Sequence, residues 1–309
     1  MSSNSDTLSA KSATPASAGV APSRPGFLAG FRWGDYLGVA PFLLFAALFL
    51  IAPTLYLVVG AFLDRNGAFT FQNILDLGTP QIASSFWISI RISAASALLG
   101  SFFGLLIALA VIRGKLPSAI RSTVMTFSGV ASQFAGIPLA FAFLSALGRL
   151  GLVTVILKFL GFDLYKSGFN LLSFWGLTLT YCYFQIPLMI LIIAPAIDGL
   201  KKEWNEAAAT LGATPFQFWR YVGLPVLWPN LLGTVSLLFA NAFGAIATAY
   251  ALTGSSLNIV PILLFAQIRG DVLNNPGLGA ALALGMIVIT AVANVVYLVI
   301  RSRAERWLK

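Results

Sequence analysis

Few side chains in this sequence could do chemistry, and their types exclude several classes of site. The chain has no histidine and one cysteine, Cys182, so a histidine-based metal site, a catalytic triad and an intrachain disulfide are excluded. Cys182 lies in an apolar run, where we expect a packing role. No phosphate-binding loop occurs, because Gly114-Lys115 is followed by leucine and lacks the earlier glycine. We therefore expect neither an enzyme nor a cofactor site, and any ATP on which the chain depends would be bound by another subunit.

A polar stretch at 201–225 separates two apolar blocks and has the signals of two short helices. Good helix formers surround Glu206-Ala207-Ala208, and Gly212 stands where a helix end favours positive φ. Thr214 is a predicted N-cap and Pro215 a predicted first helical residue, while Pro225 is expected to stop the second helix. The stretch, called the elbow below, could plug into a cleft of another protein. The alternative is a solvated connector between two membrane spans.

Composition places the chain in a membrane. Hydrophobic residues make up 58% and charged residues only 9%, whereas soluble domains carry about 25% charged residues. Six apolar blocks are long enough to cross a bilayer, which takes about 20 residues: 36–62, 84–112, 122–147, 170–197, 226–252 and 274–300. The predicted fold is all-α, a polytopic membrane protein with six transmembrane helices (34–302) and the elbow between the fourth and the fifth. Residues 1–33, rich in Ser, Ala and Pro, and 303–309 are predicted to be tails, the first of them disordered.

The distribution of basic residues predicts the orientation. With the N-terminus inside, 13 of the 19 lysines and arginines fall on the inner side and 6 on the outer side. The positive-inside rule then places both termini and the elbow in the cytoplasm. The same bias explains most of the net charge of +9, so no nucleic-acid partner is needed to account for it.

Two segments between the blocks each have a signature other than that of a span. Residues 148–169 combine several glycines with an apolar stripe, which predicts a short external helix at the membrane interface. That helix could be a docking ledge for an external partner, or the segment could be a plain long loop. Residues 259–268 form a ten-residue apolar run, too short to span a membrane and typical of an interfacial or re-entrant piece.

Uncharged polar residues inside the blocks are the candidates for a translocation route. Thr178, Tyr181 and Gln185 share one face of the fourth span, and Asn241 and Thr248 share one face of the fifth. Gln133 lies in the third span. All six could line a route or could hydrogen-bond one helix to another. Arg91, the one ionisable residue well inside a block, is close enough to the outer end to snorkel, which we favour over a pathway role.

The spacing of the elbow residues resembles the signature loop of the permeases of binding-protein-dependent ABC importers. The pattern is Glu-Ala-Ala, three residues, Gly, nine residues, an aliphatic residue, any residue, and Leu-Pro. It is matched by Glu206, Ala207, Ala208, Gly212, Val222, Leu224 and Pro225. The resemblance covers about residues 36–302, and within the family the chain looks like the polyamine (spermidine/putrescine) branch. The segments that carry that finer likeness are 89–91, 187–191, 196–198, 224–229 and 279–283, with Asn230 as a departure where the branch has Gly.

The resemblance implies one permease subunit of a type I importer in the inner (plasma) membrane. Two permease subunits, identical or paired, would form the pore, with two cytoplasmic ATPase subunits and an external solute-binding protein as partners. Glu206 would make the charged contact with the ATPase, Gly212 would set the bend, and Leu224-Pro225 would tie the elbow to the fifth span. The alternative is a stand-alone carrier or channel, which the lack of carboxylates within the blocks disfavours.

Overall fold

The computed structural model describes residues 33–305 apart from 115, 255 and 270–274. Most of the predicted N-terminal tail and the end of the C-terminal tail lie outside these residues. Within the described part the chain is helical, and its one pairing of extended backbone is an isolated bridge between Leu63 and Phe69. The all-α prediction is confirmed.

The chain divides into two units, residues 1–53 and 54–309. The described part of the first unit is α1 (Trp33–Ala46), a π-helical turn over Ala47–Ile51, and the beginning of α2 (Ala52–Gly60). The π-helical turn comes directly before Pro53. Proline has no N–H and its ring collides with the carbonyl four residues back, so a wider turn relieves the conflict.

The second unit contains the rest of α2 and twelve further helices among the described residues. They are α3 (Gln72–Asp76), α4 (Pro80–Arg113), α5 (Ser118–Gln133), α6 (Ile137–Leu147), α7 (Leu152–Phe159), α8 (Phe174–Asp198), α9 (Lys202–Thr210), α10 (Pro215–Phe218), α11 (Leu224–Phe243), α12 (Ile246–Thr253), α13 (Val260–Arg269) and α14 (Pro276–Glu305). A π-helical turn over Trp219–Gly223 joins α10 to α11.

The core of the second unit is built around α8, which packs against α4, α5 and α11. The closest approach is to α4, whose facing residues are small. A Cβ at Gly100 would lie 2.7 Å from the Cβ of Gln185, and one at Gly104 would lie 2.6 Å from the Cβ of Met189. Small residues let two membrane helices pack backbone to backbone, which gains dispersion contacts where lipid provides no hydrophobic drive.

Six helices are long and apolar enough to cross a membrane, which confirms the predicted number: Gly38–Gly60, Pro80–Arg113, Ile137–Phe159, Phe174–Asp198, Pro215–Phe243 and Pro276–Arg303. Four of them lie within a few residues of the predicted blocks. The third and the fifth are displaced, and in both cases the reason is a break in a helix.

The predicted third block, 122–147, is divided between α5 and α6. Gly136 has φ +75° between them, so the α5 helix ends at Gln133 and α6 begins at Ile137 with Pro138 in its first turn. The third candidate span, Ile137–Phe159, therefore combines α6 and α7 with the turn at 148–151 between them. The predicted fifth block, 226–252, is similarly divided at Gly244 and Ala245, with α11 before the break and α12 after it.

The two segments between the blocks, 148–169 and 259–268, each contain a helix. The segment 148–169 contains α7, whose apolar residues Leu152 and Ile156 are exposed while Thr154 is buried. The docking role for this segment stays a prediction. The apolar run 259–268 corresponds to α13, a helix of ten residues that packs against α14.

Candidate functional site

The first half of the elbow ends as its sequence predicts. Gly212 has φ +77°, and the two hydrogen bonds of a Schellman motif close α9. The N–H of Ala213 donates to the carbonyl of Ala208 at 2.9 Å, and that of Gly212 donates to Ala209 at 2.9 Å. The bend at Gly212 is thus fixed by bonds within six residues of chain.

The second half of the elbow begins with a capping box. Thr214 Oγ1 accepts from the N–H of Gln217 at 3.3 Å, and Gln217 Oε1 accepts from the N–H of Thr214 at 2.7 Å. Pro215 occupies the first turn of α10, where its missing N–H has no helical partner to lose. The N-cap prediction for Thr214 is confirmed.

The expectation that Pro225 stops the second helix is wrong. The chain continues from α10 through the π-helical turn into α11, and Pro225 stands in the first turn of α11. The wider turn absorbs the conflict between the proline ring and the preceding carbonyls, as before Pro53. Gly223 is required there, because a Cβ would lie 2.5 Å from the ring of Trp219. The second half of the elbow is therefore the first part of a continuous helix, Pro215–Phe243.

The elbow has an anchored face and a free face. Phe218 is buried, Trp219 packs against the α4/α8/α11 cluster, and Leu227 is buried a little further along. In contrast Leu211, Phe216 and Tyr221 are 88%, 72% and 70% exposed. Glu206 and Ala207 are exposed as well, Ala208 is partly so, and Leu224 and Pro225 are exposed where α11 begins. A fixed bend that presents large apolar side chains to solvent is typical of a surface that another protein covers.

A cavity of about 740 Å³ separates the elbow from the ends of α4 and α5, and charged side chains line it. Arg113, Arg121, Asp198, Lys202 and Glu206 all contribute. Arg121 and Asp198 form an ion pair at 2.7 Å, with both side chains 45% exposed. Arg113 instead reaches the backbone: its Nη2 donates to the carbonyls of Ile197 at 3.1 Å and Leu200 at 2.6 Å.

The two helix breaks meet inside the bundle. The N–H of Gly136, at the α5/α6 break, donates to Thr248 Oγ1 of α12 at 2.7 Å. A cavity of about 340 Å³ lies at this junction and is lined by Gln133, Asn241 and Thr248, together with the backbone of both breaks. The structure thus brings together three of the six predicted pathway residues.

The other three pathway candidates lie between helices. Tyr181 donates its hydroxyl proton to the carbonyl of Ala245 at 2.8 Å, and Gln185 donates from Nε2 to Ser96 Oγ at 2.8 Å. Thr178 donates to the carbonyl of Phe174 in its own helix at 2.8 Å. All three side chains are buried. The contacts of Tyr181 and Gln185 are those of the interhelical alternative, whereas that of Thr178 stays within α8. A lining role for the three stays a prediction.

Several contacts in the structure could not be predicted from the sequence pattern. The N–H of Val260 donates to Ser89 Oγ at 2.9 Å, which ties the start of α13 to α4. Tyr181 bonds to the α11/α12 break 64 positions away. Arg113 bonds to carbonyls 84 and 87 positions away. Arg91 lies over the ring of Phe174 at 5.3 Å with an exposed side chain.

Among the residues that the structure describes, no group of three His, Cys, Asp or Glu could hold a metal ion.

The chain belongs to a family of membrane transport subunits. Residues 100–306 match the family described as the binding-protein-dependent transport system inner membrane component. Two relatives are the sulfate transport system permease protein CysT of Salmonella typhimurium and the molybdenum transport system permease protein ModB of Mycobacterium bovis. CysT is 25% identical over 243 residues, covering 76% of this chain and 82% of that protein. ModB is 27% identical over 218 residues, covering 69% of this chain and 77% of that protein.

A solved structure shares the fold. A chain of a bacterial ABC transporter involved in the import of the acidic polysaccharide alginate superimposes with a TM-score of 0.69 at 19% identity. The superposition covers 90% of this chain and 96% of that one. The architecture of six candidate spans is therefore that of an ABC importer permease, and the chain is a transport subunit of that family.

Proposed function

We propose that this chain is half of the pore of an ATP-driven importer and that the elbow transmits the movement of a separate ATPase. The observation that carries the proposal is the elbow itself, a preformed bend with Glu206 and three large apolar side chains exposed. A second permease subunit, identical or paired, completes the pore, and an external binding protein delivers the solute. ATP is bound by the ATPase alone, and this chain holds no cofactor.

In this proposal the protein lies in the inner membrane with both termini and the elbow in the cytoplasm. The positive-inside count supports that orientation. Closure of the ATPase dimer would turn the elbow as a rigid body, and the continuous helix Pro215–Phe243 would carry the rotation into the bundle. The break at Gly244, beside Gln133 and Thr248, is where the route would open or close.

A charge reversal at the elbow tests the coupling. Glu206→Lys should reduce solute uptake by the complete transporter at least tenfold and reduce recovery of the ATPase with the purified permease, while insertion stays normal. Glu203→Lys makes the same charge change on the same helix, at a position that does not match the family pattern. Uptake by that control should stay within about twofold of the original. Normal uptake by Glu206→Lys would remove the role assigned to Glu206.

For the solute, we propose a small tetrahedral oxyanion of the kind named for the relatives CysT and ModB. Within the six candidate spans the only carboxylate is Asp198, at the very end of α8. A route without carboxylates offers a polyamine no counter-charge, and desolvating its several charges would be expensive. An oxyanion can instead exchange hydrogen bonds with neutral donors such as the amides of Gln133 and Asn241.

A polyamine is the second candidate, favoured by the finer likeness of the segments 89–91, 187–191, 196–198, 224–229 and 279–283 to that branch. Uptake of labelled sulfate, molybdate and spermidine by cells with and without the transporter separates the two. Oxyanion uptake that needs this chain supports the first candidate, and spermidine uptake with no oxyanion uptake supports the second. Uptake by the isolated permease in vesicles without any ATPase would favour a stand-alone carrier or channel.

A further inference from the structure

The segment that leads into the elbow has two backbone carbonyls that accept hydrogen bonds from a side chain of another helix. The helix α8 ends at Asp198 and α9 begins at Lys202. The last carbonyls of a helix have no intrahelical partner and carry the negative end of the helix dipole. Here the Ile197 carbonyl belongs to the last turn of α8 and accepts from the Leu200 N–H at 3.2 Å, and the Leu200 carbonyl follows just before the elbow.

The donor that meets these carbonyls comes from the end of another helix. Arg113, the last residue of α4, places Nη2 at 3.1 Å from the Ile197 oxygen and 2.6 Å from the Leu200 oxygen. Its side chain is half-buried and lines the cavity beside the elbow. A charged donor on two carbonyls is stronger than a neutral hydrogen bond and favours the negative end of α8.

The helix α4 extends from this contact to the opposite end of the bundle. It is continuous over its 34 residues. Gly100 and Gly104 bring it against α8, and Ser89 accepts a hydrogen bond from the backbone of α13. A displacement applied at Arg113 would therefore be carried along a rigid element to the junction of α4 with α13.

A second arginine reaches the same segment but in a different way. Arg121 of α5 pairs with the side chain of Asp198, and both groups are nearly half exposed. Exposed ion pairs of this kind contribute little, because water screens the charges and two long side chains lose freedom. The backbone contact of Arg113 is thus the firmer of the two links to the elbow.

We propose that Arg113 is a positioning residue for transport: it fastens the start of the elbow to α4, so that α4 follows the elbow during the ATPase cycle. The inference rests on the proposed function of the elbow and adds a second route of transmission besides α11. Without this link, ATP hydrolysis continues but less solute is transported for each ATP hydrolysed.

The test compares Arg113→Gln with Arg121→Gln in the complete transporter, reconstituted in vesicles with its binding protein and ATPase. Solute transported per ATP hydrolysed is measured for each. Arg113→Gln should lower this ratio at least fivefold with hydrolysis within about twofold of the original, whereas Arg121→Gln should leave the ratio within about twofold. Arg113→Lys, which keeps the charge but not the planar pair of donors, should fall between. An unchanged ratio in Arg113→Gln would overturn the proposal.

A distance measurement covers the case in which the variant does not assemble with the ATPase. Spin labels at the exposed Ala110 of α4 and Asn205 of α9 report the link directly in the inserted permease, with Cys182→Ser as background. The distance distribution should broaden in Arg113→Gln and stay narrow in Arg121→Gln; equal widths would overturn the proposal. The measurement needs no ATPase. It therefore tests the Arg113 link even if Glu206→Lys does not uncouple transport and the proposed role of the elbow fails. If Arg113→Gln does not insert, Arg113→Lys is measured instead and should show a smaller broadening; a width equal to that of Arg121→Gln would overturn the proposal.

Discussion

The elbow and the α5/α6 break both interrupt a helix at a glycine of positive φ, yet they are held in opposite ways. Gly212 has φ +77° and Gly136 has φ +75°. The bonds that fix the Gly212 bend join residues at most five apart. The N–H of Gly136 bonds to Thr248, 112 residues away. The same backbone conformation is thus set by local chain in one region and by tertiary contact in the other.

The difference follows from the solvent around each bend. In the elbow, water can satisfy any polar group that the chain leaves open, so short-range caps suffice and the apolar side chains stay free for a partner. The Gly136 N–H is part-buried at the edge of the cavity between helices, and its bond to Thr248 on another helix replaces the local caps of the elbow. The elbow should therefore tolerate mutation as an independent element, while the break should not.

The largest effect is expected where α4 packs most closely against α8. Gly104→Leu inserts a side chain where a Cβ alone would lie 2.6 Å from Met189 Cβ. Because α4 and α8 cannot separate without losing contacts along their length, we expect destabilisation of about 3 kcal/mol or more. Gly129→Leu is the matched control, since nothing lies within 4 Å of a Cβ there. Thermal unfolding in detergent measures both, and equal midpoints would show that α4 and α8 are not closely packed.

The next effect concerns the bond across the two breaks. Thr248→Val keeps the shape of a buried side chain but leaves the Gly136 N–H without its acceptor, a loss of about 1–3 kcal/mol. Thr178→Val makes the same change where the hydroxyl bonds only within its own helix, so it should cost less than about 1 kcal/mol. Denaturation of the two variants should rank them in this order. The reverse ranking would mean that the breaks are not joined through Thr248.

The sequence predicted the features that are set by local chain and not those that are set by tertiary contact. Gly212, Thr214 and Pro215 act through residues a few positions away, so their local signals predicted the first bend and the second cap. The apolar blocks gave the number of spans, because length and hydropathy are also local properties. The partners of Gly136, Tyr181 and Arg113 lie 64 to 112 residues away, and no signal in one sequence pairs residues at that distance. The breaks that divide the third and fifth predicted blocks are held by such contacts.

A smaller effect is expected at the elbow glycine. Gly212→Ala meets no steric obstacle, since nothing lies within 4 Å of a Cβ there, so its cost is the backbone strain of an L-residue at positive φ, about 1 kcal/mol. Local opening of the end of α9 should become about fivefold more frequent. Hydrogen exchange at the Ala213 amide measures this, with Gly199→Ala as control at φ −69°. Unchanged exchange at Ala213 together with lost transport would mean that Gly212 acts by contact and not by conformation.

The smallest effect belongs to the second cap, and it tests whether the halves of the elbow are independent. Thr214→Ala removes the 3.3 Å acceptor of the Gln217 N–H, a long bond whose loss should cost about 0.5–1 kcal/mol. Thr214→Ser keeps the hydroxyl and should restore the original behaviour. Exchange should rise at Gln217 and stay unchanged at Ala213, because the Schellman bonds of α9 do not involve Thr214. A parallel rise at Ala213 would show that the elbow opens as one cooperative unit, and local capping on each side of Gly212 would then no longer explain its bend.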